Sequence, residues 1–158
     1  MGAMATATTT GRDLEAWTGL LRAHAAVVRQ LSAELERDHA LTINDYEVLL
    51  RLSRAPDRRL KRVDLAAQVL LTPSGITRLL AGLERAGLVA KAACDSDGRV
   101  SYAELTDDGH RKLREAAVTH LEGIDRVYLG LFSETERATL AELLGRVGSV
   151  DGESCAPE

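Results

Sequence analysis

Apolar residues recur at helical spacing along most of the chain. Leu14, Trp17, Leu21, His24, Val28, Leu31 and Leu35 advance by alternate steps of three and four, with His24 as the one polar interruption. This predicts a helix from about Asp13 to Asp38 whose seam calls for a partner helix. A second helix is predicted from Thr42, with Asp45 as a capping-box partner, Ile43, Tyr46, Leu49 and Leu50 as its apolar face, and an end before Pro56. Asp57-Arg58-Arg59-Leu60 reads as a loop, and Val63 to Val69 as a short third helix. The fourth helix has Thr72 as N-cap, Pro73 at the first helical position, a buried stripe of Ile76, Leu79, Leu80 and Leu83, and Gly87 as its C′ residue. Two strand-like runs, Leu88–Cys94 and Arg99–Leu105, flank the turn residues Asp95-Ser96-Asp97-Gly98. Thr106 caps a fifth helix, whose apolar stripe runs from Leu113 to Leu131, with Asp107 and Asp108 at its positive end. Ser133-Glu134-Thr135-Glu136 is a capping box for a sixth, with Leu140, Leu143, Leu144 and Val147 on one face.

The expected fold is mainly α with a small β-hairpin wing: six helices in a winged helix-turn-helix arrangement. The outer face of the fourth helix carries Ser74, Thr77, Arg78, Ala81 and Arg85. It is small, hydroxylated and basic, so a phosphate backbone and base edges could approach it closely. A helix followed by a hairpin with Arg99 just past its tip suits major-groove entry by the helix and minor-groove reach by the arginine. Apolar seams on the first, fifth and sixth helices would leave much apolar surface wet in a single copy, so an intertwined homodimer is expected.

The run from Leu41 through Gly109 resembles a MarR-type transcriptional regulator. The resemblance is carried by Thr72-Pro73-Ser74-Gly75-Ile76-Thr77-Arg78, Leu83-Glu84-Arg85-Ala86-Gly87-Leu88-Val89, Asp97-Gly98-Arg99 and Leu105-Thr106-Asp107-Asp108-Gly109. With its flanking helices it extends from about Leu14 to Val147. It implies a two-fold dimer held by helices one, five and six, with recognition helices roughly 34–36 Å apart on an inverted-repeat operator. It implies Arg78 as a phosphate contact and Arg99 as a wing contact oriented by Asp97. Thr72, Ser74, Gly75 and Thr77 are base-edge or phosphate candidates, although helix-start chemistry explains part of that cluster. Lys61, Arg62 and Lys91 are expected to position phosphates without reading sequence. Two departures stand out. Val63 occupies a place where relatives carry a capping hydroxyl, and Asp97-Gly98-Arg99 has one arginine fewer than the Asp-Arg-Arg of many relatives.

Composition agrees with this reading and narrows it. The 158 residues are 45% hydrophobic but only 3% aromatic, which suits a helical core of Leu, Ala, Val and Ile. The overall charge of −4 conceals a sharp division. Residues 51–99 hold ten bases against five acids, a net +5, and the remainder carries −9. The expected organisation is a tag and disordered tail over 1–12, a helical dimerisation lobe over 13–40 and 106–148, a DNA-binding lobe over 41–105, and a flexible tail over 149–158. Met1-Gly2-Ala3-Met4 looks like a cloning remnant. Neither a signal peptide nor a membrane span is visible, so a cytoplasmic, nucleoid-associated protein is expected.

Cys94 and Cys155 are not expected to pair, and Asp95 and Asp97 oppose thiolate chemistry at Cys94. No metal-ligand spacing, cofactor motif or enzyme constellation is present. The family resemblance also suggests a small aromatic acid or phenolic effector between helices one, two and five. Trp17, His24 and Tyr46 are candidate wall residues, and Arg22 or Arg29 a carboxylate partner. For Trp17 packing is the competing role, and for His24 an interface hydrogen bond. The functional expectation is a ligand-responsive repressor of transcription that is not an enzyme. A protein–protein adaptor of the same fold that no longer reads DNA is the alternative.

Overall fold

The computed structural model describes residues 11–69, 71–93 and 101–148. Helix α1 spans Gly11–His39, α2 Ile43–Arg54, α3 Arg62–Gln68, α4 Pro73–Arg85, α5 Asp107–Val127 and α6 Glu134–Gly148. Strands β1 Arg59–Lys61, β2 Val89–Ala93 and β3 Ser101–Leu105 form one antiparallel sheet in the order β1-β3-β2.

The helix starts follow from local chemistry. The Thr42 hydroxyl accepts the Asp45 N–H at 3.1 Å, and the Asp45 carboxylate accepts the Thr42 N–H at 2.9 Å, which completes the predicted capping box of α2. Thr72 caps α4 by accepting from Gly75 N–H, Thr106 caps α5 by accepting from Gly109 N–H, and Glu136 reaches back to Ser133 N–H at the start of α6. Gly87 takes the left-handed conformation (φ 72°) that ends α4. Leu88 N–H donates to Leu83 C=O and Gly87 N–H to Glu84 C=O, the paired bonds of a Schellman turn.

Several expectations need correcting. The wing is three-stranded: residues 59–61, expected to be loop, pair with β3 in the register Arg59↔Glu104, Leu60↔Ala103 and Lys61↔Tyr102. Asp57 and Arg58 enter that strand with left-handed φ values of 52° and 55°. Helix α3 begins at Arg62 rather than Val63; Lys61 is its N-cap and makes no side-chain capping bond, while Val63 is 73% exposed. Helix α5 does not continue to Leu131. It breaks at Tyr128 (φ −137°, ψ −69°) and a 3-10 turn covers Leu129–Leu131. The core face of α2 is also wider than predicted, with Val48 and Leu52 fully buried, because α1, α3, α4, α5 and the sheet all pack around it.

The core is continuous and apolar. Leu35 of α1, Val48, Leu49 and Leu52 of α2, Leu65 of α3, Ile76, Leu80 and Leu83 of α4, Leu105 of β3 and Leu113 and Ala116 of α5 meet in it. The wing base is fastened to α5 at one corner. The Thr106 hydroxyl donates to Gly87 C=O at 2.7 Å, and Thr106 N–H donates to Leu88 C=O at 3.2 Å. Gly109 lies against the same carbonyl, where a Cβ would fall 2.0 Å from the Leu88 oxygen.

The ends of the chain are packed very differently. Residues 14–26 of α1 are exposed throughout, Leu14 at 54% and Trp17 at 57% among them. Helix α6 has no buried residue among those described, although it presents Leu140, Leu143, Leu144 and Val147. The described residues leave the N-terminal part of the α1 seam and the α6 seam uncovered, whereas Leu31 and Leu35 of α1 and Leu113 and Ala116 of α5 are buried.

Candidate nucleic-acid interface

Helix α4 has one face in the core and one in solvent. Ile76, Leu80 and Leu83 are buried and Leu79 is half-buried, while Ser74, Thr77, Arg78, Ala81 and Arg85 are exposed. The Thr77 hydroxyl donates its proton to Pro73 C=O at 2.8 Å, so its oxygen presents lone pairs outward. Thr72 Oγ1 is occupied with the Gly75 N–H and lies 3.3 Å from Ser74 Oγ. Thr72 therefore serves first as a cap, with Ser74 and Thr77 the more available hydroxyls. Arg78 makes no ion pair or hydrogen bond with any described residue, leaving its five donors for a ligand. Lys61 and Lys91 are exposed on β1 and β2. Asp97, Arg99 and the turn joining the strands lie outside the described residues, as does Cys94.

The basic stretch leading into α3 is less free than charge counting implies. Arg58 pairs with Asp107 at 3.0 Å, and Arg59 pairs with Glu104 at 3.7 Å while its guanidinium lies 5.2 Å from the centre of the Tyr102 ring. Arg62, expected as a phosphate contact, is bound to Glu84 with both side chains largely covered. Arg51 pairs with Glu47 one turn away on α2. The sequence offered no signal for the long-range partners, since Arg62 and Glu84 stand 22 positions apart, whereas the Glu47–Arg51 pair has ordinary helical spacing.

The four proposed effector residues are not assembled in one place. His24 lines an apolar groove of about 580 Å³ together with Leu20, Val28, Phe132, Leu140 and Leu144, between α1, α6 and the turn after α5. Trp17 and Arg22 are exposed on α1 and do not line it. Tyr46 is buried on the inner side of α2, its ring 4.5 Å from that of His120 on α5. Burial raises the Tyr46 phenol above its ordinary pKa and lowers that of the His120 imidazole, despite the opposing pull of Glu47 and Glu34 on the histidine. The grouping fails because the His24 side of α1 faces α6, whereas the Tyr46 side of α2 faces α5. Among the described residues, no cluster of His, Cys, Asp or Glu is arranged to hold a metal ion. No helix there is long and apolar enough to cross a membrane.

Comparison with known proteins finds the same architecture elsewhere. Residues 41–101 match the MarR family model. The HTH-type transcriptional regulator MhqR of Bacillus subtilis is 27% identical over 139 residues, covering 88% of this chain and 93% of its own. The crystal structure of AbsC, a MarR family transcriptional regulator from Streptomyces coelicolor, superposes with a TM-score of 0.81 at 29% identity, over 88% of this chain and 93% of that one. Sco3205, a MarR family regulator from the same organism solved in complex with DNA, superposes with a TM-score of 0.84 at 28% identity, over 92% and 94%. The fold that carries α4 and the wing is thus shared with MarR family transcriptional regulators, one of them solved in complex with DNA, and the chain is similar to that family of winged helix-turn-helix regulators over most of its length.

Proposed function

We propose that this regulator binds an inverted-repeat operator as a homodimer and represses transcription, with α4 in the major groove and the wing near the minor groove. The observation that carries the reading is the outward face of α4: Ser74, Thr77 and an Arg78 without a partner among the described residues, on a capped helix whose opposite face is packed into the core. Residues 41–105 would form the DNA-reading lobe, with Gly75 allowing close approach and Lys61, Lys91 and, at the wing, Asp97 and Arg99 completing the contact. Residues 13–40 and 106–148 would form the dimerisation lobe, the exposed seams of α1 and α6 meeting a second copy. Such a protein works on chromosomal DNA in the cytoplasm.

The repressor reading includes release by a small aromatic acid or phenol. The groove holding His24 supports it: one imidazole among apolar walls, beside the edge-to-face pair of Tyr128 and Phe132 at 5.4 Å. A ligand that favours a dimer with misplaced α4 helices lowers operator affinity by linkage.

The test is a titration of a labelled duplex, selected from a random library by the protein itself, at two salt concentrations. Arg78→Ala and Arg99→Ala should each weaken binding and reduce the salt slope by about 1. Unchanged affinity in both variants rejects the contact assignment. Adding salicylate or 4-hydroxybenzoate to the preformed complex should release DNA; retention at millimolar ligand rejects aromatic-acid control.

A further inference from the structure

We propose that Arg62 and Glu84 form a strut that sets the angle of the recognition helix relative to the wing, making both of them positioning residues for DNA reading. The inference rests on the reading that α4 enters DNA, and extends it to what holds α4 in place. Arg62 is the first residue of α3 and directly follows β1, whose place is fixed by pairing with β3. Glu84 lies in the last turn of α4, one helical turn and a half beyond Arg78. Their ion pair therefore ties the C-terminal end of the recognition helix to the sheet that carries the wing. Among the described residues, no other side-chain hydrogen bond or ion pair joins α3 to α4.

Burial distinguishes this pair from the other arginine pairs nearby. The Arg62 and Glu84 side chains are 21% and 28% exposed. Asp107, the partner of Arg58, is 98% exposed, so solvent screens that pair. Arg62 Nε is buried without a hydrogen-bond partner, so the guanidinium already bears part of a desolvation cost that only the Glu84 contact offsets. Swinging Arg62 out to a phosphate would strand the Glu84 carboxylate in a half-buried place. Apolar packing on Leu65 and Ala66 of α3 seats α4 firmly but is non-directional, so it does not by itself select the last few degrees of its rotation. A charge-assisted contact near one end of α4 fixes that rotation. The outer face of the helix then addresses the groove at one angle, in register with the wing.

The strut and a phosphate contact predict opposite results for the acid. Removing Glu84 takes a negative charge away from a DNA-reading helix and frees Arg62, so electrostatics alone predicts tighter binding. The strut predicts that Glu84→Ala weakens binding to the selected duplex by on the order of tenfold. Binding to a scrambled duplex of equal length should stay unchanged or tighten, with the salt slope unaltered. The exchange Arg62→Glu with Glu84→Arg should recover most of the discrimination between the two duplexes. Arg62→Lys keeps the charge but loses the planar fork, and should also lose discrimination; it carries the test if Glu84→Ala melts below the assay temperature. Tighter or unchanged binding of Glu84→Ala to the selected duplex overturns the strut. So does an Arg62→Ala variant that weakens both duplexes equally with a slope smaller by about 1, the signature of a phosphate contact. A wild-type protein that selects no duplex and shows no salt-dependent binding rejects the DNA reading itself, a failure distinct from that of the strut.

Discussion

His120 links the two arms of the fold through one ring. It leaves α5 to lie against Tyr46 of α2, and its Nδ1 is buried without a hydrogen-bond partner. Burial holds its pKa below the ordinary value, so the folded chain binds fewer protons there than the unfolded chain once the pH falls below about 6.5. The sign follows directly: the contribution to stability is complete above that pH and is lost as the pH falls toward the depressed folded value. Urea unfolding of the wild type should therefore show a falling midpoint between pH 7.5 and 5.5, and His120→Gln should show a shallower fall over the same interval. Equal slopes would mean that other groups carry the acid sensitivity. Glu136 works in the same direction at lower pH, because backbone and hydroxyl bonds from Ser133 hold its carboxyl below the usual range. The stripe read from Leu113 to Leu131 spans His120, but the ring's partner belongs to a helix more than seventy positions earlier, and no local pattern encodes that.

At the scale of elements, what the sequence revealed is what local chemistry determines. Thr42 with Asp45, Thr72 before Pro73, Thr106 before Asp107, and Ser133 with Glu136 mark four helix starts because a cap needs only residues three apart. Strand β1 escaped notice because Arg59-Leu60-Lys61 is too short to show a period and its partner lies over forty residues away. The break at Tyr128 escaped because apolar spacing continues past it to Leu131. The end of α1 holds a conflict that sequence reading passed over. Ala40 has a φ of 54°, the left-handed conformation that follows a helix end and that disfavours a Cβ. Ala40→Gly should therefore raise stability by about 1 kcal/mol, the steric relief less the added unfolded-state entropy. A denaturant midpoint that moves up with an unchanged slope is the expected reading, and a midpoint that moves down would show that the left-handed turn at Ala40 carries no strain. Ala40 lies outside the DNA-reading face, so DNA affinity should not follow the change.

The whole molecule is asymmetric in its packing, and this asymmetry decides what one copy lacks. Residues around α2 close a full core, whereas α6 has no fully buried residue among those described and the first four turns of α1 stand in water. An isolated helix of about 15 residues is marginal in water, so α6 needs an apolar surface that its own chain does not complete. The apolar seams of α1 and α6, with Leu14, Trp17, Leu143, Leu144 and Val147 exposed on them, offer that surface to a second copy. Under two-fold symmetry every substitution in such an interface acts twice. Leu144 is 40% exposed in the single chain, so Leu144→Glu should leave the fold intact by circular dichroism. It should cost about 2 kcal/mol of association for each copy through lost apolar burial, before any penalty for the buried charge. Sedimentation at micromolar concentration should then show dimer for the wild type and monomer for the variant, with operator binding falling together with assembly because one half-site holds one α4 weakly. A wild-type protein that sediments as a monomer at that concentration would leave α6 without its support and would remove the symmetric operator from the functional reading. A monomeric variant that still binds the full inverted repeat as tightly as the wild type would separate DNA reading from dimerisation.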